Sequence, residues 1–204
     1  MNMFSLGSDC VSEARETQRR ETESRVLKAA GELFQAKGFA VTTVRDIAAS
    51  AGVSTGTVMS VGDKNALLVA CFDRRIEEIH RRRTEDSLAD SAGVAEHITA
   101  LVSPFVELFT SDPELSRTYG SVLVSGHTES SIFTELASVL ISEIETVVHS
   151  AGIPNAHALA ESIYFAYIGR LFTWSAKNDH DPEQLKQSLN RIVAAICQTQ
   201  GSLE

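Results

Sequence analysis

The groups in this chain that could carry covalent or metal chemistry are six histidines, three cysteines and 27 carboxylates. Catalysis needs such groups at spacings that bring them together, and these spacings do not. No His-Glu-x-x-His pair, Gly-rich phosphate loop or nucleophile elbow occurs. Cys10, Cys71 and Cys197 are too few and too scattered for a zinc site or a disulfide framework. Glu143 and Glu145 do not share a helical face. The expectation is no enzyme, no metal and no cofactor.

A second group of residues is better placed. In "AGVSTGTVMSVGDKNALL", Ala51 to Leu68, small hydroxyl side chains surround a glycine. Ser and Thr donate or accept hydrogen bonds, and a glycine between them lets a base edge or phosphate come close. The candidate contacts are Ser54, Thr55, Gly56, Thr57, Met59 and Ser60. Free backbone N–H groups at the helix starts near Thr43 and Lys64 suit phosphate, with the charge of Arg45 beside them.

These residues need helices to hold them. Thr43 and Asp46 make a capping-box start for a helix over 44–51, whose Val44, Ile47, Ala48 and Ala51 form one buried stripe. Gly52 ends it, Ser54 caps the next short helix at 55–60, and Val53 and Val58 are spaced as a hydrophobic staple across that cap. Two short helices joined by a tight Gly-containing turn are a helix-turn-helix. An ordinary three-helix corner with a polar surface has the same local pattern.

Apolar residues recur at three- and four-residue spacing almost throughout, which predicts an all-α protein. A polar, mobile tail is expected at 1–21 and a first helix at 22–37, stopped by Gly38 with Phe39 folded back onto Phe34. Further helices are expected near 64–88, 93–111, 112–125, 130–150, 155–177 and 182–199. Pro104 should kink or break the first of these after 93. The domains read as a helix-turn-helix unit at 22–68 and a larger helical unit at 69–204.

Residues 1–83 carry 13 Lys and Arg against 11 Asp and Glu, whereas residues 84–204 carry 5 against 16. A mildly basic front and an acidic back place any polyanion at the front. No apolar run reaches the roughly 18 residues of a membrane span, and the N-terminus lacks a signal-peptide core. With three scattered cysteines, a reducing cytoplasm is the simplest location.

In the larger unit, Phe105, Phe109, Tyr119, Val122, Phe133 and Leu136 could surround an apolar cavity, with Tyr119 and His127 as polar members. Aromatic residues at helical spacing are more often plain core. The stretch at 155–177 is apolar nearly all round, with Ala158, Ser162, Ala166 and Gly169 as a small-residue strip; Leu185, Leu189, Ile192, Val193 and Ile196 share a face of the last helix. Such faces need a partner, inside the chain or on a second copy.

"RVLKAAGELFQAKGFAVTTVRDIAASAGVSTGTV", Arg25 to Val58, resembles the N-terminal domain of the TetR family of transcriptional regulators. The matching residues are Ala29-Ala30, Leu33-Phe34, Gly38, Thr42-Thr43-Val44, Ile47-Ala48 and Ala51-Gly52-Val53-Ser54 with Gly56-Thr57. The resemblance implies a homodimer formed through the helices near 155–177 and 182–199, and a palindromic double-stranded DNA operator. It also implies repression and a helical domain answering to a small-molecule effector. The chain departs from the family at "VMSVGDKNALL": Met59 stands where the family has Tyr, a following Phe is missing, and the turn is about one residue shorter. A helical dimeric interaction protein that has lost DNA binding through this altered turn is the alternative function.

Overall fold

The computed structural model describes residues 6–85, 93–128, 130, 134–177 and 181–198. Among the described residues every regular element is a helix. These are α1 (Leu6–Lys37), α2 (Val44–Ala51), α3 (Thr55–Val61), α4 (Lys64–Glu85), α5 (Val94–Ser111), α6 (Pro113–Ser125), α7 (Glu135–Ser150), α8 (Ala156–Ser175) and α9 (Pro182–Gln198). The chain divides into two compact units, Met1–Cys71 and Phe72–Glu204, with the boundary inside α4.

In the first unit, Val26, Ala29, Ala30 and Phe34 of α1 are buried with Ile47, Ala48 and Ala51 of α2, Val58 of α3 and Leu67 and Leu68 of α4. The alanines let α1, α2 and α3 pack closely, and Cys71 Sγ donates to the Leu27 carbonyl at 3.3 Å, tying α4 to α1. Phe39 folds back onto Phe34 with ring centroids 5.2 Å apart, as its place after Gly38 predicts. The segment at 1–21, expected as a polar, mobile tail, is helical from Leu6 onward. Helix α1 begins at Leu6 rather than at 22, because polar sequence without a breaker extends a helix once it is nucleated against a core. Glu16 links to both Arg19 and Arg20 along this extension at 3.2 and 3.1 Å, as helical spacing allows.

In the second unit α5 packs along α9, and α8 lies against both α7 and α9. Its core includes Ile98, Leu101, Phe105 and Val106 from α5, Ile144 and Val148 from α7, Ile163, Tyr164 and Tyr167 from α8, and Leu185, Leu189 and Val193 from α9. Two helix starts follow one rule. Asp112 accepts from Leu115 N at 2.9 Å ahead of Pro113, and Asp181 accepts from Glu183 N at 2.9 Å ahead of Pro182. Pro104 does not break α5, which continues through it to Ser111. Among the described residues no helix is long and apolar enough to cross a membrane.

Candidate functional site

The α2–α3 corner is held by its caps. The Thr43 hydroxyl accepts from Asp46 N at 3.2 Å, while Asp46 Oδ2 accepts from the Thr43 backbone N–H at 2.9 Å. These contacts from Thr43 hold the Asp46 carboxyl below its ordinary range. At the other end of α2, Gly52 is left-handed at φ 65°, and Val53 N donates back to the Ala48 carbonyl at 3.0 Å. Ser54 then caps α3, accepting from Thr57 N at 3.0 Å.

Within this frame the nine residues expected to meet DNA separate into two sets. Thr55, Gly56, Met59 and Ser60 are exposed on α3, Met59 at 52%. Arg45 is exposed on α2, with no ion-pair partner among the described residues. Thr57 is half-buried, and its hydroxyl lies 2.9 Å from that of Ser54, so both are occupied by the cap. The Ser60 and Thr43 hydroxyls donate inward, to the Thr57 carbonyl and to Asp46. Each keeps only acceptor capacity for an incoming group.

Lys64 is the main departure from expectation. Its ammonium donates to the carbonyls of Phe39, Ala40 and Thr42 at 3.0, 3.4 and 3.2 Å, and lies 4.3 Å from the centroid of the Phe39 ring. The three protons of an ammonium have three acceptors here. The Thr42 hydroxyl adds a bond to the Gly38 carbonyl at 2.8 Å. Lys64 therefore pins the α1–α2 loop that leads into Thr43, and its ammonium is engaged there.

The shortened turn between α3 and α4 consists of Gly62 and Asp63, and the Asp63 carboxylate accepts from Ala66 N at 2.8 Å. Gly62 is extended, with φ 170°. Its requirement is spatial: a Cβ at this position would lie 2.9 Å from Ala66 Cβ.

Two cavities of the second unit involve residues from the expected set. One lies between α6 and α8 and is lined by Phe109 and Tyr119 from the expected set. Sequence reasoning missed Ser116, Gly120, Phe172 and Trp174 on its wall. A signal existed, because Ser116 and Gly120 are small residues one turn apart on α6. The other cavity is bordered by Phe105 and Phe109 with His80 and Tyr167. His80 is 8% exposed and its Nδ1 lies 3.6 Å from Glu143 Oε2. Val122 is buried but lines neither cavity, His127 is exposed, and Phe133 lies outside the described residues.

Tyr119 joins the first cavity to α4. Its ring stacks on Phe72 at 4.2 Å, and its hydroxyl donates to Asp73 Oδ1 at 3.3 Å, an oxygen that also accepts from Ser130 at 2.8 Å. Burial, and then the Asp73 charge, push the Tyr119 hydroxyl far above its ordinary pKa, so it remains a neutral donor.

A capped helix-turn-helix ahead of a larger helical unit is the architecture of a large class of DNA-binding regulators. Residues 26–71 match the family described as bacterial regulatory proteins, tetR family, so the front of the chain is a TetR-family helix-turn-helix unit. Solved structures extend the likeness of fold along the chain. A TetR transcriptional regulator from Rhodococcus sp. RHA1 is 16% identical with a TM-score of 0.63, covering 88% of this chain and 97% of that one. Thermus thermophilus FadR, a TetR-family repressor solved with lauroyl-CoA, is 19% identical with a TM-score of 0.63, covering 89% and 95%. NalD, the secondary repressor of the MexAB-OprM multidrug efflux pump in Pseudomonas aeruginosa, is 18% identical with a TM-score of 0.53, covering 88% and 96%. No curated protein matches the sequence.

Proposed function

We propose that the chain is a sequence-specific DNA-binding transcriptional regulator, acting as a homodimeric repressor released by a small-molecule effector. The observation that carries this reading is Gly56. It sits inside α3, is exposed, and a Cβ there would meet nothing closer than Ser54 Oγ at 3.6 Å. Glycine inside a helix costs roughly 1 kcal/mol relative to alanine. Since the unit's own packing does not require it, close approach from outside is the physical reason for it, and a duplex groove is the surface that a helix-turn-helix presents its second helix to.

The dimer rests on a similar argument about α8. Ala158, Ser162, Phe165 and Gly169 are exposed along one face, Phe165 at 66%, and Gly169 has open space where a Cβ would stand. On the aliphatic face of α9, Leu185, Leu189 and Val193 are buried within the protomer, while Ile192 and Ile196 are half-buried. Release by an effector follows if occupancy of the second unit moves α4 and changes the separation of the paired α3 helices. That Thermus thermophilus FadR, similar in fold, was solved in complex with lauroyl-CoA supports a small-molecule ligand for this chain.

Selection of bound duplexes from a random pool tests the reading. A palindromic consensus with half-sites about one helical turn apart is expected. The absence of any enriched sequence would overturn it in favour of the interaction protein.

A further inference from the structure

We infer that the cavity between α6 and α8 binds a neutral aromatic compound bearing a hydroxyl, with the ligand's polar atom on Ser116 Oγ. The inference rests on the regulator reading only in calling this compound an effector; binding itself does not depend on DNA.

Ser116 carries the argument. The residue is 6% exposed and lines the cavity, and its Oγ has no hydrogen-bond partner among the described residues. On the same helix the Thr118 and Ser125 hydroxyls donate to backbone carbonyls at 3.0 and 2.7 Å, the usual resolution for a helical hydroxyl. A buried polar atom left without a partner is destabilising, so it marks a place where a partner is absent.

The rest of the wall fixes the class of ligand. The other hydroxyls are engaged: Tyr119 donates to Asp73 and Ser175 to the Phe172 carbonyl at 2.9 Å. Among the described residues no Lys, Arg, Asp or Glu lines the cavity, so an ionised ligand would be desolvated without a counter-charge. Tyr119, Phe172 and Trp174 provide aromatic surfaces suited to a flat ring. Gly120 lets the Phe172 ring lie close against α6, since a Cβ there would stand 3.3 Å from Phe172 Cε1. A ring seated against Tyr119 would press on the residue that stacks on Phe72 and bonds Asp73, both on α4. The ligand thereby reaches α4 through one side chain.

The chain's single tryptophan, Trp174, reports on the site. The full chain is titrated with phenol, with its isostere toluene and with benzoate, following Trp174 fluorescence and Tm. Phenol should bind saturably and raise Tm, toluene should bind about five- to tenfold more weakly, and benzoate should be weaker still. Ser116→Ala should abolish the preference for phenol over toluene while retaining toluene binding, and should leave the Tm of the free protein unchanged or higher. Gly120→Leu should block all three probes. If that variant fails to melt cooperatively, Ser116→Ala decides alone. No binding by the wild type, equal affinity for phenol and toluene, or an unchanged preference in Ser116→Ala would overturn the inference. Duplex selection on the same preparation separates the two readings: enrichment without phenol binding sinks the ligand site alone, and phenol binding without enrichment sinks the regulator alone.

Discussion

Lys64 shows how a residue of the right type and position can have a different task from the one its charge suggests. Its place at the start of α4 was legible, but its partners were not, since the carbonyls of Phe39, Ala40 and Thr42 lie 22 to 25 residues earlier. Lys64→Met keeps the aliphatic stem and removes the ammonium. It should cost about 1–3 kcal/mol, from lost charge-assisted hydrogen bonds, and leave the salt dependence of DNA binding unchanged. Arg45→Ala should do the opposite, lowering the salt slope by about one charge with little change in Tm. Denaturant melts and binding isotherms at several salt concentrations check both. A shallower slope for Lys64→Met would return that side chain to the phosphate contacts. Asp46 adds a pH dependence of known sign. Its carboxyl is held below its ordinary value, so its stabilisation is fully present above the unfolded-state pKa, about 4, and is lost as pH falls through the folded value. Asp46→Asn should flatten the acid limb of a Tm–pH profile.

At the scale of elements, local chemistry was the most legible. The capping box of α2, the Gly52 stop, the Ser54 cap and the Asp-Pro starts of α6 and α9 all involve residues within a few positions of each other. Hydrogen bonds over such distances are fixed by sequence spacing alone. The start of α1 was not legible, because polar helix and polar tail share a composition and only docking of the far end distinguishes them. Which face of α8 turns inward was also hidden, since a helix apolar nearly all round offers no preferred direction. The cavity between α6 and α8 was half legible: its aromatic residues were found, and its orphan hydroxyl needed coordinates. Two predictions belong to this scale. Gly62→Ala forces a Cβ against Ala66, which the turn absorbs only by moving α4, and should cost about 1–3 kcal/mol by chemical denaturation. Met59→Glu adds a charge on the exposed face of α3 and should abolish duplex binding with Tm within a degree or two of the wild type. The same change at Thr57 is a poorer test, since Thr57 belongs to the Ser54 cap and its loss would damage the helix itself.

For the whole molecule, the charge division and the exposed face of α8 point to the same arrangement. The net negative charge of residues 84–204 disfavours a polyanion there and leaves the first unit as the part suited to a duplex. One front unit reads too few base pairs for tight binding, so the affinity of such a regulator depends on holding two of them at a fixed spacing. In the proposed dimer that task falls to α8, where Phe165 stands 66% exposed between Ser162 and Gly169 on a face of small residues. Phe165→Asp should leave the protomer's fold within about 0.5 kcal/mol, because the side chain is mostly solvated there. In the dimer it would place two like charges together in an apolar contact. Sedimentation velocity should show a shift to monomer, and affinity for a palindromic duplex should fall by about 10²–10⁴, the advantage of linking two half-site contacts. Binding to a single half-site should not change. A Phe165→Asp protein that remains dimeric would move the interface off this face of α8, and the open space beside Gly169 would then need a different occupant.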